Sequence, residues 1–83
     1  MENEKVRFEL DKIIDGSCIK TVFQPIISLR DGLVFGYEAL SRVTIKCELD
    51  NPEILFTYAG KYDRLWDLEL LCRTKSLESA YSQ

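Results

Sequence analysis

Residues 19–43, IKTVFQPIISLRDGLVFGYEALSRV, decide the fold. Two runs in this stretch, 19–29 and 33–43, are rich in β-branched and aromatic side chains and read as strands. Arg30-Asp31-Gly32 lies between them. Asp-Gly flanked by apolar alternation predicts an antiparallel hairpin. Pro25 has no N–H to give a ladder, so it belongs at an edge or a bulge. Two registers are open. A two-residue loop of Asp31-Gly32 pairs Arg30 with Leu33 and sets Gln24 opposite Ala39. A three-residue loop with Gly32 left-handed pairs Leu29 with Leu33 and sets Gln24 opposite Glu38 on one face. A slip of one residue turns every side chain over, so the register decides what the hairpin presents.

The flanks read as helices. In residues 2–15, Val6, Leu10, Ile13 and Ile14 recur at helical spacing, and Gly16 falls at the C-terminal cap. Phe8 lies off that stripe. Asp50-Asn51-Pro52-Glu53 reads as a helix start, with an Asx cap, proline in the first turn and an acid at the positive end. That helix is expected over 52–59, stopping at Gly60. Asp63 is the expected cap of a further helix over 64–80. Leu65, Leu68 and Cys72 form one of its stripes, and Trp66, Leu70, Leu77 and Tyr81 another, more than one face needs. The expected order is helix, antiparallel hairpin, helix, helix, an α+β arrangement without internal repeats.

Size and charge narrow the classes of function. At 83 residues the chain is smaller than the usual domain of roughly 100–150, and its core is expected to be thin. Its 46% hydrophobic content argues against disorder. A net charge of −3 argues against a generic surface for nucleic-acid polymers or anionic membranes. There is no histidine, which excludes a histidine triad, a His–Cys zinc site and a histidine base within these residues. Cys18, Cys47 and Cys72 are odd in number and widely spaced, which suits reduced thiols in a cytoplasmic protein. The start, MENEKVRFEL, lacks a signal-peptide core, and no apolar run approaches the roughly 20 residues that span a bilayer.

Candidate chemistry lies on the second strand. Gly36, Glu38, Leu40 and Arg42 share one face by alternation. Leu33, Phe35, Tyr37, Ala39 and Val43 share the other, which reads as the core face. On an arbitrary strand Glu38 and Arg42 would be solvated, or paired with each other across four residues. As a site they offer an acid for a hard cation and a planar fork for phosphate. Gln24 offers an amide to orient a polar ligand.

Taken together, residues 21–42, TVFQPIISLRDGLVFGYEALSR, resemble the opening of an EAL domain, the family named for the Glu-Ala-Leu seen here as Glu38, Ala39 and Leu40. Phe23-Gln24-Pro25-Ile26, Asp31-Gly32, Gly36-Tyr37-Glu38-Ala39-Leu40 and Arg42 keep the family's spacing. The following NPEILFTYAGKYDRLWDLELL resembles its next two helices. VTIKCELD, between Arg42 and Asn51, lacks the proline and glycine that many relatives carry there.

The resemblance implies a function. EAL domains are cytosolic phosphodiesterases that open the bacterial messenger cyclic di-GMP to linear pGpG with magnesium or manganese. Their fold is a modified TIM barrel whose first strand runs antiparallel to the rest. By position, Glu38 would be a metal ligand, Gln24 and Leu40 substrate contacts, and Arg42 a phosphate holder; aiming Gln24 and Glu38 at one substrate makes the register that sets them opposite each other the expected one. A TIM barrel takes about 250 residues, so residues 1–83 correspond to a single partial domain at its N-terminal end. The family's other ligands come from later strands. The expectation is therefore the opening portion of a cyclic di-GMP phosphodiesterase, itself inactive and binding no metal alone. The alternative is a degenerate EAL domain that senses cyclic di-GMP or docks a partner without catalysis. Uncovered apolar surface and open strand edges further imply a homodimer of this chain, either with its sheet running across the interface or with helices covering the partner's sheet.

Overall fold

The computed structural model describes residues 3–82. The order is α1 (Asn3–Asp15), β1 (Ile19–Ile27), β2 (Val34–Val43), α2 (Pro52–Lys61) and α3 (Leu65–Tyr81), a small α+β fold. The expected helix start at residue 2 lies outside the described residues. In α1 the apolar stripe Val6, Leu10, Ile13 and Ile14 is buried, and Phe8, off the stripe, stands out to solvent. The helix closes through a Schellman turn. Cys18 N donates to Ile13 O at 2.8 Å and Ser17 N to Ile14 O at 3.3 Å. Ser17, not Gly16, takes the left-handed conformation, at φ 53°. Gly16 is needed for space, because a Cβ there would lie 2.6 Å from Lys12 O.

Asn51 caps α2 as expected, its Oδ1 accepting from Glu53 N at 2.9 Å and Ile54 N at 3.4 Å. Two expectations at its other end are corrected. The helix runs through Gly60 to Lys61, since one glycine costs a helix only about 1 kcal/mol and buried Leu55 and Ala59 hold this one. Asp63 caps nothing. It is the left-handed residue, φ 60°, of a second Schellman turn in which Arg64 N reaches Ala59 O at 2.7 Å. Arg64 then opens α3, and its guanidinium donates to Asp11 at 2.7 Å, Asp15 at 3.0 Å and Asp67 at 3.1 Å. One arginine thus fastens α1 to the start of α3.

The core is where the three helices meet the base of the hairpin. Val6, Leu10, Ile13, Ile14, Ile19, Leu49, Leu55, Ala59 and Leu68 are buried together. Leu49 comes from the 44–51 connection, whose role the sequence left open, and it is fully buried. On α3 only Leu68 is buried, with Leu71 and Cys72 packed at the core's margin. The second stripe, Trp66, Leu70, Leu77 and Tyr81, is exposed.

The two strands pair antiparallel from Ile19↔Val43 to Ile26↔Gly36, with Gln24 opposite Glu38. That is the register of the three-residue loop, but the turn itself is different. Ile27 pairs with Val34, leaving Phe35 as the extra residue of a bulge. Ser28 N donates to Leu33 O and Gly32 N to Ser28 O, both at 2.9 Å, so Leu29 does not pair with Leu33. Ser28 Oγ accepts from Arg30 N at 3.2 Å and Asp31 Oδ1 from Leu33 N at 3.0 Å. Local side-chain acceptors thus shape a loop of Leu29–Gly32, and the bulge restores the register below it. Gly32 is left-handed, φ 73°.

The expected core face of β2 is also corrected. Val43 packs at the core's margin, but Leu33, Phe35 and Tyr37 are exposed, the last two at 71% and 66%. Alternation shows which residues share a face; whether anything covers that face depends on the helices. Here α3 lies along β1 and the base of the ribbon, and the far half projects beyond it. The chain extends 50 Å against 26 and 22 Å in its other directions. Its radius of gyration is 14.9 Å, where a compact chain of this length has about 12 Å.

Candidate functional site

Cross-strand partners share a face of the ribbon. One face therefore carries Lys20 opposite Arg42, Val22 opposite Leu40, Gln24 opposite Glu38 and Ile26 opposite Gly36. The other carries Thr21, Ala39 and Ser41, which line a groove of about 400 Å³ with Phe56, Cys72 and Arg73. The helices thus cover the second face at the base of the ribbon, and the first is open. All four residues singled out in the sequence, Gln24, Glu38, Leu40 and Arg42, fall on the open face. Val34 does not join it. The bulge pairs Val34 with Ile27, whereas straight alternation would have kept it beside Gly36.

Gln24 and Glu38 are exposed, and Leu40 and Arg42 are half-buried. Directly opposed residues hold their Cβ atoms about 4.5–5.5 Å apart, so an amide and a carboxylate meet the same ligand atom with little rearrangement. Arg42 Nη1 donates to Ser41 O at 3.3 Å, which leaves most of its fork facing outward. The ion pairs among the described residues include neither Glu38 nor Arg42. Four residues along a strand span about 13 Å, which is why the two do not neutralise each other.

Lys20 is the residue that sequence reading passed over. The register sets it directly opposite Arg42. Like charges in that relation repel, and an anion between them removes the penalty. The signal was present: in the register that pairs Gln24 with Glu38, position 20 falls opposite position 42.

As a metal site these residues are incomplete. Magnesium takes a near-octahedral shell of oxygens, and among the described residues Glu38 is the one acid in the ladder of the open face. Among the described residues no three His, Cys, Asp or Glu side chains gather to hold an ion. All three cysteines are free and half-buried, and burial pushes the Cys47 thiol above its ordinary value. No helix among the described residues is long and apolar enough to cross a membrane.

No family model, curated protein or solved structure matches this chain.

Proposed function

We propose that this chain is the N-terminal portion of an EAL-type cyclic di-GMP phosphodiesterase, the opening strands and helices of a TIM-like barrel. The observation that carries the reading is the meeting of Gln24, Glu38, Leu40 and Arg42 on the ribbon face that the helices leave open. A barrel needs this division, with helices on one face of the strands and the site side chains carried on the other. The ligand is an anionic cyclic dinucleotide. Arg42, with Lys20 beside it, takes a phosphate, Gln24 hydrogen-bonds the ligand, and Leu40 contacts it. Glu38 would help to hold the magnesium or manganese of the intact domain, whose remaining ligands would come from further strands. The setting is cytoplasmic.

The chain alone is expected to show no turnover. Manganese-dependent conversion of cyclic di-GMP by the pure protein, abolished by Glu38→Ala, would overturn that. Calorimetric titration with cyclic di-GMP in manganese is expected to give weak binding that Arg42→Ala reduces on the order of tenfold, as loss of a charged hydrogen-bonding partner does. Absence of heat up to millimolar ligand contradicts the reading.

A second reading, a sensor or docking module without catalysis, draws on Glu38 being the one acid in the ladder of the open face among the described residues. It is distinguished by cyclic di-GMP binding that persists in Glu38→Ala and needs no divalent ion. Under either reading, the chain without further barrel strands associates with a second copy of itself.

A further inference from the structure

The accessible surface is 6019 Å², about 900 Å² more than the roughly 5,100 Å² of a typical folded monomer of 9.6 kDa. That excess is close to the ~800 Å² each partner buries in a standard interface. The ribbon has two edges, and they differ. On β1, Pro25 removes a donor, and Lys20 adds an edge charge of the kind that discourages strand addition. β2 is ten residues long and has no proline.

The amides also have a phase. Proline is tolerated where its nitrogen faces away from the ladder, which puts the pair Pro25↔Tyr37 at a non-hydrogen-bonded position. By alternation the N–H and C=O groups of Tyr37, Ala39, Ser41 and Val43 then point outward along the edge of β2.

We propose that this edge pairs antiparallel with the same edge of a second copy, about a two-fold axis at Leu40. A four-stranded sheet in the order β1-β2-β2-β1 results. In this register Ala39 of each copy lies opposite Ser41 of the other, and both outward amides find partners. Leu40 meets Leu40 across the axis. Glu38 of each copy lies opposite Arg42 of the other on the open face, so two complementary ion pairs form from groups that have none among the described residues. A two-fold contact is self-complementary in this way, and it closes at two copies. Ala39 and Ser41 are small, and the close approach of the two edges meets no bulky side chain there.

The pairing rests on the self-association stated above, and because it engages Glu38 and Arg42 it competes with cyclic di-GMP, so its test is run without that ligand. Its test is sedimentation equilibrium across a dilution series, on the whole chain and three charge variants. Glu38→Arg alone and Arg42→Glu alone are each expected to weaken the dimer on the order of tenfold or more, because both cross-axis pairs become repulsive. The double variant Glu38→Arg/Arg42→Glu restores it to within a few-fold. Circular dichroism confirms that each variant is folded. Leu40→Cys is expected to give a disulfide-linked dimer under mild oxidation, faster than Thr44→Cys. A folded monomer at all concentrations overturns both the self-association and this geometry. A dimer indifferent to all three charge variants overturns the geometry alone and assigns the contact to the helices.

Discussion

The base of the molecule and the end of its hairpin are built from similarly apolar sequence but differ in what covers them. At the base, Leu10, Ile13, Leu49, Leu55 and Leu68 are fully enclosed, and both helix-closing turns are hydrogen-bonded into place. At the far end, Leu29, Leu33, Phe35 and Tyr37 stand in solvent with a two-stranded ladder beneath them. A two-stranded ribbon is marginal in water by itself. Hydrophobicity therefore does not locate the core here; the reach of α3 does. The base is a folded unit, and the ribbon is a surface held ready for something else to cover.

The largest effect that tests this contrast comes from truncating one side chain in each region. Leu10→Ala is expected to cost about 2–5 kcal/mol, enough to unfold much of a domain this small. Phe35→Ala, with a larger side chain removed, is expected to stay within about 0.5 kcal/mol. Urea denaturation followed by circular dichroism reads both. Equal losses would mean that the ribbon is packed as the base is.

A smaller effect probes the turn that joins α1 to the ribbon. Gly16→Ala brings a Cβ against Lys12 O, a backbone atom that cannot swing away. The expected loss is about 1–3 kcal/mol, the usual range for local backbone strain. Ser17→Gly, at the left-handed position, is expected to raise stability slightly, by up to about 1 kcal/mol. Thermal melts of the two variants should move in opposite directions.

The smallest effect is electrostatic and confined to the base. The hydrogen bond from Arg64 holds the Asp15 carboxyl below its ordinary 3.8. A group whose folded value is depressed adds stability above its unfolded value, and that stability is lost as pH falls through the folded one. The clamp between α1 and α3 is therefore intact at neutral pH and weakens below about pH 4. In Arg64→Ala the part of the acid-induced loss that belongs to Asp15 disappears. An unchanged pH profile in that variant would assign the acid sensitivity elsewhere.

Much of this was legible in the sequence. The stripe Val6, Leu10, Ile13 and Ile14 predicts the buried face of α1 because helical periodicity and burial coincide there. Asn51 and Pro52 mark the start of α2 because capping is local chemistry. The pairing of Gln24 with Glu38 was legible as one of two registers. The bulge at Phe35 was not, because it comes from a balance between the ladder and the acceptors of Ser28 and Asp31 in the loop. Leu49 was missed although Val43, Ile45, Cys47 and Leu49 alternate with polar residues, because those positions were taken as a connection and not as a continuation of the inward-facing alternation of β2. Phe35 and Tyr37 were assigned to a core that is absent at their end, since alternation is blind to what lies above a sheet. Of the candidate site, the faces and partners followed from the register. Lys20 required carrying that register to the end of β1.

The measurement that tests the account most directly is where cyclic di-GMP lands. A titration of the isotope-labelled chain with cyclic di-GMP in magnesium, followed by amide and side-chain NMR shifts, reports each residue separately. The account predicts saturable shifts at Gln24, Leu40 and Arg42, with Lys20 moving alongside and the residues of the Thr21–Cys72 groove still. Shifts centred on that groove, or none at the open face up to millimolar ligand, would contradict it.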